Sequence, residues 1–294
     1  MTHAKKVLFI VNARSRSGRD LLQTATERLR AHGIEPIHRD CGSREELSPL
    51  IAAHGRDMDA VVVGGGDGTL NAAAAGVLEA DRPLGVLPMG TANDLARTMG
   101  VPADLDAAAR IIADGRTRRI DLGFVNGHPF FNVASVGLSV ELAQTLTRDV
   151  KRRWGRLGYA VAALRVLARA RPFHAEIVGG AEAARVLTLQ IAVGNGRFYG
   201  GGNVVEKDAA IDDRRLDLYS LELSKAWKLA LMARSFRYGE HGAWEEVRAT
   251  KGREFDIRTR FPRPINADGE IVTQTPARFT IRPGAVRVFA PSAS

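Results

Sequence analysis

From Val7 to about Ile120 the chain alternates short apolar, β-branched runs with stretches of helical periodicity. The strand candidates are Val7–Val11, Ile34–His38, Ala60–Val63 and Gly85–Leu87, and a helical pattern follows each: Leu21–Ala31, Arg44–Ala53, Leu70–Ala80 and Asn93–Met99. Runs this apolar read as strands buried on both faces, so the pattern predicts a three-layer α/β unit around a parallel sheet. After Arg119–Gly123 the rhythm changes. Strand-like runs recur between turn residues at Phe124–Val125, Phe130–Val133, His174–Val178, Leu187–Val193, Leu216–Leu221, Glu254–Arg258, Pro264–Asn266 and Ala277–Ile281. Helical stretches interrupt them at about Leu157–Arg169 and Ala226–Arg237. The expectation is an α/β domain over residues 1–122 and a β-rich second domain, a sandwich or distorted barrel, over residues 123–283. Periodicity alone assigns no partner to the apolar strand at Pro283–Pro291.

Composition narrows the partners without naming one. Among 294 residues, 42 Lys and Arg stand against 33 Asp and Glu, a balance of 42 − 33 = +9 that suits nucleotides, anionic headgroups or nucleic acid. The single cysteine, Cys41, excludes an intrachain disulfide and fits a reducing compartment. The apolar run at Val7–Val11 is too short for a signal peptide, and no stretch approaches the roughly 20 residues that span a bilayer. The expected place is therefore cytoplasmic, with any membrane contact peripheral. The seven histidines form no zinc pattern, and no GxSxG elbow occurs. The basic run Lys151–Arg156 suits a membrane interface or phosphates, but a solvated helix entry explains such runs more often.

The densest chemical signal is Asp59–Asn71, where a β-branched strand enters Gly64-Gly-Gly-Asp-Gly-Thr-Leu-Asn71 and then a helix. A glycine turn there exposes backbone N–H groups at a helix N-terminus, a ready site for phosphate. It is neither a Walker loop, which needs a Lys-Ser/Thr, nor the dinucleotide GxGxxG, whose third glycine is missing. Asp67 would repel a bare phosphate, so it points to a metal, a water network or a backbone turn. A second turn at Gly90–Thr91 precedes Asn93–Asp94, residues that equally serve as ordinary helix starts.

Together, Gly64–Asn71 and Leu84–Arg97 resemble the paired nucleotide-binding motifs of the bacterial diacylglycerol kinase-like lipid kinases, relatives of sphingosine and ceramide kinases. NAD kinases share only the first motif. The resemblance runs through Val193–Gly202 to the Pro283-Gly-Ala-Val-Arg-Val end, and it would return that last strand, residues 284–294, to the first domain. It implies ATP and Mg2+, with nucleotide contacts at Asn12, Ser17, Gly18, Cys41, Gly65, Gly66, Asp67, Gly68, Thr69, Leu70, Asn71 and Thr91. Three acidic residues that face the interdomain cleft in such kinases would be Asp67, Asp94 and Asp121. Glu270, in Asn266-Ala-Asp-Gly-Glu270, would be the base that takes the lipid hydroxyl proton. From the residues alone Ala267-Asp-Gly269 is a hairpin turn and Glu270 an edge residue. A structural Mg2+ loop would use Ala210, Asp213 and Arg215, the first and last through main-chain carbonyls; a satisfied acidic turn is the competing reading.

The chain departs from the pattern in three places. Ala13 replaces a proline within an expanded Asn12–Gly18 loop, Cys41 stands where the family has threonine unless Asp40 or Ser43 takes that place, and Arg214 replaces a glycine. The expected activity is transfer of the ATP γ-phosphate to a lipid hydroxyl at a membrane surface, with the lipid unspecified. The alternatives are a soluble acceptor such as NAD, or a degenerate kinase that only binds membranes or nucleic acid; no nucleic-acid partner is expected, and a homodimer is left open.

Overall fold

The computed structural model describes residues 5–11, 16–145, 166, 169–179, 183–196, 198–199, 203–204, 210–223 and 247–292. The helical expectation over residues 226–237, nearly all of that over 157–169, and the basic run Lys151–Arg156 lie outside them. Two compact units emerge, Met1–Leu122 with Gly200–Gly202 and Arg282–Ser294, and Gly123–Tyr199 with Asn203–Ile281.

In the first unit β1 (Lys5–Val11), β2 (Ile34–His38), β3 (Ala60–Gly65) and β4 (Leu84–Pro88) form a parallel sheet in the order β2-β1-β3-β4. The last strand, β18 (Ala277–Phe289), lies parallel to β4 through Val288 and Leu84. Every residue of β4, and all of β3 but Gly65, is buried, as the unbroken apolar runs require of a sheet covered on both faces. The helices that cover it are α1 (Arg16–Ala31), α2 (Leu47–His54), α3 (Asp67–Ala80), the short α4 (Asp94–Thr98) and α5 (Leu105–Asp114). Helix α1 packs with α5, and α2 with α3. The α2–α3 crossing is close because Gly76 has no side chain: its N–H donates to Ser48 Oγ at 2.9 Å, and Ser48 Oγ donates to the Ala72 carbonyl at 2.7 Å. At the opposite face Lys5 Nζ donates to the Ile112 carbonyl at 3.2 Å and sits 4.3 Å from the centre of the Phe289 ring. Burial pushes that ammonium below the usual lysine range, with Asp59 opposing the shift.

Helix α5 was not anticipated, although Asp104 caps it by accepting the Ala107 N–H at 2.8 Å and Gly115 ends it at φ 76. Helix α2 begins at Leu47, three residues later than the expected Arg44, because Ser43–Glu46 is spent on turns.

The second unit is the expected β-sandwich. One sheet is antiparallel in the order β14 (Val247–Gly252), β13 (Leu216–Leu221), β10 (Gln190–Gly194), β7 (Val133–Gly137), β16 (Pro264–Ala267), β17 (Glu270–Gln274). The other contains β9 (Ala184–Thr188), β8 (Phe173–Val178), β15 (Glu254–Thr259) and the first residues of β18, with β5 (Thr117–Val125) and β6 (His128–Phe130), while β11 (Phe198–Tyr199) and β12 (Asn203–Val204) form a separate antiparallel pair. Residues from both sheets share one core, including Phe130, Val136, Ile191, Leu218, Phe255, Ile257, Ile265 and Phe279. The run expected as one strand, Leu187–Val193, is two strands of different sheets that part at Leu189, whose N–H turns to the Leu221 carbonyl at 2.8 Å. Among the described residues no helix is long and apolar enough to cross a membrane.

Candidate active site

A doubly wound sheet leaves a crevice where its strand order reverses, at the carboxyl ends of the two strands whose connections run in opposite directions. Here that point is between β1 and β3, where Val11 pairs with Gly64. The glycine turn follows immediately. Gly66 is the N-cap of α3 in extended backbone at φ −98, ψ −176, and its carbonyl accepts the N–H groups of Thr69 at 2.9 Å and Leu70 at 3.1 Å. The N–H groups of Asp67 and Gly68 thus precede the first intrahelical bonds, at the positive end of a 14-residue helix.

The second motif is built onto the first. The Met89 N–H donates to the Gly65 carbonyl at 3.0 Å, which carries the β3–β4 pairing past the end of the strands. The two turns then meet backbone to backbone: a Cβ on Gly66 would sit 3.1 Å from the Gly90 Cα, and a Cβ on Gly90 would collide with the Gly66 Cα. At Gly90 that approach requires glycine, and at Gly66 a side chain would have to push its neighbour back. Asn93 closes the second turn from within, accepting the Gly90 N–H at 2.9 Å and donating to the Gly90 carbonyl at 3.0 Å from a left-handed backbone at φ 52. It does not cap α4 with its side chain. Asp67 does that from the other motif, its Oδ1 accepting the Leu95 N–H at 3.0 Å. The Asp67 carboxylate thus ties the first motif to the helix of the second.

The remaining residues fall into three groups. Asp94 is 4% exposed at the first position of α4, and Thr91, three residues before it, is exposed. Asp121 is 2% exposed on β5, and its Oδ1 accepts the Gly284 N–H at 2.7 Å while Arg119 donates to the Gly284 carbonyl at 3.0 Å. Asp121 therefore fixes the bend of β18 at Gly284, where φ is 57. Among the described residues no group of three or more His, Cys, Asp or Glu side chains is arranged to hold a metal ion, so Asp67, Asp94 and Asp121 do not form a compact cluster. Asn12 lies outside the described residues; Ser17 and Gly18 stand in the first turn of α1. Cys41 is half-buried, with its Sγ donating to the Ser43 carbonyl at 2.8 Å. Half-buried Thr69, buried Leu70 and buried Asn71 lie in the first turns of α3.

Arg44 was not anticipated. Its guanidinium lies against Gly68, in the place a side chain there would occupy, so a cation stands at the positive end of α3. No spacing rule signals it, because it comes from the loop before α2.

In the second unit Ala210, Asp213 and Arg215 share one turn. The Asp213 N–H donates to the Ala210 carbonyl at 3.3 Å, and Asp213 Oδ1 accepts the Arg215 N–H at 3.0 Å. Arg214 adopts φ 63, the left-handed region that glycine enters freely, so the backbone path of a glycine-bearing loop is kept. Glu270 is exposed as the first residue of β17, opposite Ala267 across the Asp268-Gly269 turn, whose φ values are 48 and 99. Two left-handed residues make the hairpin turn expected from the residues.

A parallel sheet bearing two fused glycine turns at its switch point, with a β-sandwich in the same chain, defines a narrow class of two-domain α/β proteins. The diacylglycerol kinase catalytic domain matches residues 6–125, and the YegS C-terminal NAD kinase beta sandwich-like domain matches residues 132–290. The protein named "Probable lipid kinase YegS-like" from Pseudomonas fluorescens is 32% identical over 99% of this chain and 97% of its own length. A protein named diacylglycerol kinase from Mycobacterium tuberculosis is 32% identical over 91% of this chain and 88% of its own. The crystal structure of a diacylglycerol kinase from Bacillus anthracis superposes with a TM-score of 0.82, covering 99% of both chains; at 21% identity it speaks for the fold. The chain belongs to the diacylglycerol kinase-like lipid kinase family, of the YegS-like type.

Proposed function

We propose that this protein is an ATP-dependent lipid kinase that transfers the γ-phosphoryl group to a hydroxyl of a diacylglycerol-like lipid. The observation that carries the reading is the backbone fusion of the two glycine turns, within a chain whose family is defined by kinases. Transfer through a loose transition state asks the protein for little covalent chemistry and for much positioning and charge stabilisation. The N–H groups that open α3 and the second turn with Thr91 form the cradle for the nucleotide phosphates, and Arg44 adds a cation beside it. Preorganised donors of this kind act without reorganising when charge develops. Asp67, Asp94 and Asp121 are the acidic members of the nucleotide site, and Asn12, Ser17, Gly18 and Cys41 its outer contacts.

Glu270 is the base in this reading, its carboxylate accepting the proton of the attacking lipid hydroxyl. Mg2+, when bound with the nucleotide, supplies neutralisation of charge on the transferring phosphates. A second, structural Mg2+ would be held by the Ala210 and Arg215 carbonyls and the Asp213 carboxylate, in a turn where the left-handed Arg214 takes the backbone angle of a glycine. The protein works as a peripheral enzyme drawn to anionic membrane surfaces by its net charge of +9.

A transfer assay with radiolabelled ATP and Mg2+ over diacylglycerol, sphingoid bases and NAD tests the reading. Label in a diacylglycerol-class product that falls about 10²-fold or more in Glu270→Gln, with nucleotide binding retained, supports it. Label on NAD alone moves the protein to soluble acceptors. Nucleotide binding with no transfer to any acceptor leaves only a binder.

A further inference from the structure

The second unit contains a built device that neither the expected base nor the nucleotide motifs account for. Asp268, at the first position of the hairpin turn before Glu270, is 8% exposed despite sitting in a turn. Its carboxylate takes three consecutive backbone donors: Oδ2 accepts the Phe131 N–H at 2.6 Å, and Oδ1 accepts those of Asn132 at 3.0 Å and Val133 at 3.1 Å. The backbone closes the same joint, because the Asp268 N–H donates to the Val133 carbonyl at 3.0 Å. Asn266 braces the turn from inside, accepting the Gly269 N–H at 2.9 Å.

The segment so gripped, Phe131–Val133, is held equally from its other side. Asn195 is 1% exposed, and its Nδ2 donates to the Phe131 carbonyl at 2.8 Å. The N–H groups of Asn195 and Gly196 both donate to the Asn132 carbonyl, at 2.8 and 3.1 Å. Thus the Gly194-Asn-Gly196 motif, to which no chemistry was assigned, and the Asp268-Gly269 turn converge on one stretch of backbone. A carboxylate that accepts several backbone N–H groups makes charge-assisted bonds roughly twice as strong as neutral ones, and in a buried place their geometry is fixed. Glu270 is two residues along the chain from that anchor, in the first register position of β17.

We propose that Asp268 is a positioning residue for Glu270: the grip on Phe131–Val133, backed by Asn195, sets the height and direction from which the Glu270 carboxylate meets the acceptor hydroxyl. The proposal rests on the reading of Glu270 as the base. A general base acts only within hydrogen-bond reach of its proton, and a displacement of about 1 Å costs on the order of 10²-fold in rate. An acid would otherwise be a poor choice for a buried turn residue, since Asn-Gly suits two left-handed positions as well or better.

The turn's tolerance of Asn supplies a clean variant. Asp268→Asn keeps the turn preference and the side-chain size, but its amide oxygen can satisfy only one arm of the grip and its NH2 faces the N–H donors of the other. Measured on the full chain with ATP, Mg2+ and diacylglycerol vesicles, kcat should fall by about 10- to 100-fold while the ATP KM stays within about twofold. The decisive arm is the double variant. Asp268→Asn introduced into Glu270→Gln should cause no further fall, because a residue that acts through Glu270 has nothing left to position. A multiplicative further loss, or full kcat in Asp268→Asn, overturns the proposal while the base reading stands. Full activity in Glu270→Gln itself overturns the base reading and the proposal with it. If Asp268→Asn does not accumulate folded, Asn195→Ala loosens the same segment from the opposite side and must give the same split between kcat and KM and the same lack of additivity.

Discussion

Asp67 is where capping and chemistry are superimposed, and two substitutions separate them. Its Oδ1 accepts the Leu95 N–H at 3.0 Å, so Asp67→Ala removes a helix cap as well as a charge. Loss of a cap of this kind costs about 1 kcal/mol, and for a domain of this size about 1 kcal/mol lowers the melting midpoint by roughly 2–4 °C. Asp67→Asn retains an acceptor oxygen for Leu95 and loses only the negative charge, so its midpoint should stay within about 1 °C of the parent. If the charge is needed to organise cation and phosphate, both variants should lose phosphoryl transfer by about 10²-fold or more, since removal of a preorganised electrostatic group costs on that order. The assay is thermal unfolding monitored beside initial rates at saturating ATP. Near-normal turnover in Asp67→Asn, with the stability loss confined to Asp67→Ala, would reduce Asp67 to a cap and remove it from the catalytic set.

Three further outcomes are expected. Gly90→Ala drives a Cβ into the Gly66 backbone, so it should destabilise by about 1–3 kcal/mol and weaken nucleotide binding together; an unchanged nucleotide Kd by calorimetry would show that the fusion of the turns is dispensable. Arg214→Gly relieves a left-handed non-glycine residue and should stabilise by about 1 kcal/mol, whereas Asp213→Ala should abolish any rise in the melting midpoint on adding Mg2+; equal responses of parent and Asp213→Ala would mark the turn as metal-free. Rates on anionic vesicles should exceed those on neutral ones, and added salt should erase the difference as the Debye length shortens from about 10 Å; salt-independent rates would refute electrostatic docking.

The parallel sheet and the sandwich were legible because burial on both faces, or on one, leaves period-free or alternating apolar runs. What the pattern missed had no such imprint. β14, Val-Arg-Ala-Thr-Lys-Gly, is an edge strand with one buried residue, so its sequence reads as surface. The break at Leu189 lies inside Leu187-Thr-Leu-Gln-Ile191, where apolar and polar residues alternate without interruption, and unbroken alternation does not record a change of sheet. Helix α5 is different: the Asp104 cap, the Gly115 stop and one apolar face were all visible in the sequence, yet no element was assigned there. The glycine turns were legible as motifs, but the contact between Gly66 and Gly90, and the cation placed by Arg44, come from segments apart in sequence.

The same limit explains why Asp67 and Asp121 took chemical roles from the family resemblance, and Asp268 only a place in a turn, while their scaffold bonds went unseen. Asp67, Asp121 and Asp268 each commit a carboxylate oxygen to backbone N–H groups, at sequence separations of 28 for Leu95, 163 for Gly284 and 136 for Asn132. Glycine-rich turns have few side chains with which to pack, so something else must hold them at the precision that phosphoryl transfer demands. A carboxylate reaching to a distant N–H is suited to that task, because its bond is short, directional and strengthened by charge. It follows that an aspartate in a motif of this family cannot be assigned to metal or proton chemistry from its identity alone. Substitution to asparagine, which keeps the bond where one acceptor suffices and loses the charge, is the measurement that assigns it; where several donors converge, as at Asp268, asparagine breaks the bond as well, and only non-additivity with Glu270 tells the two roles apart.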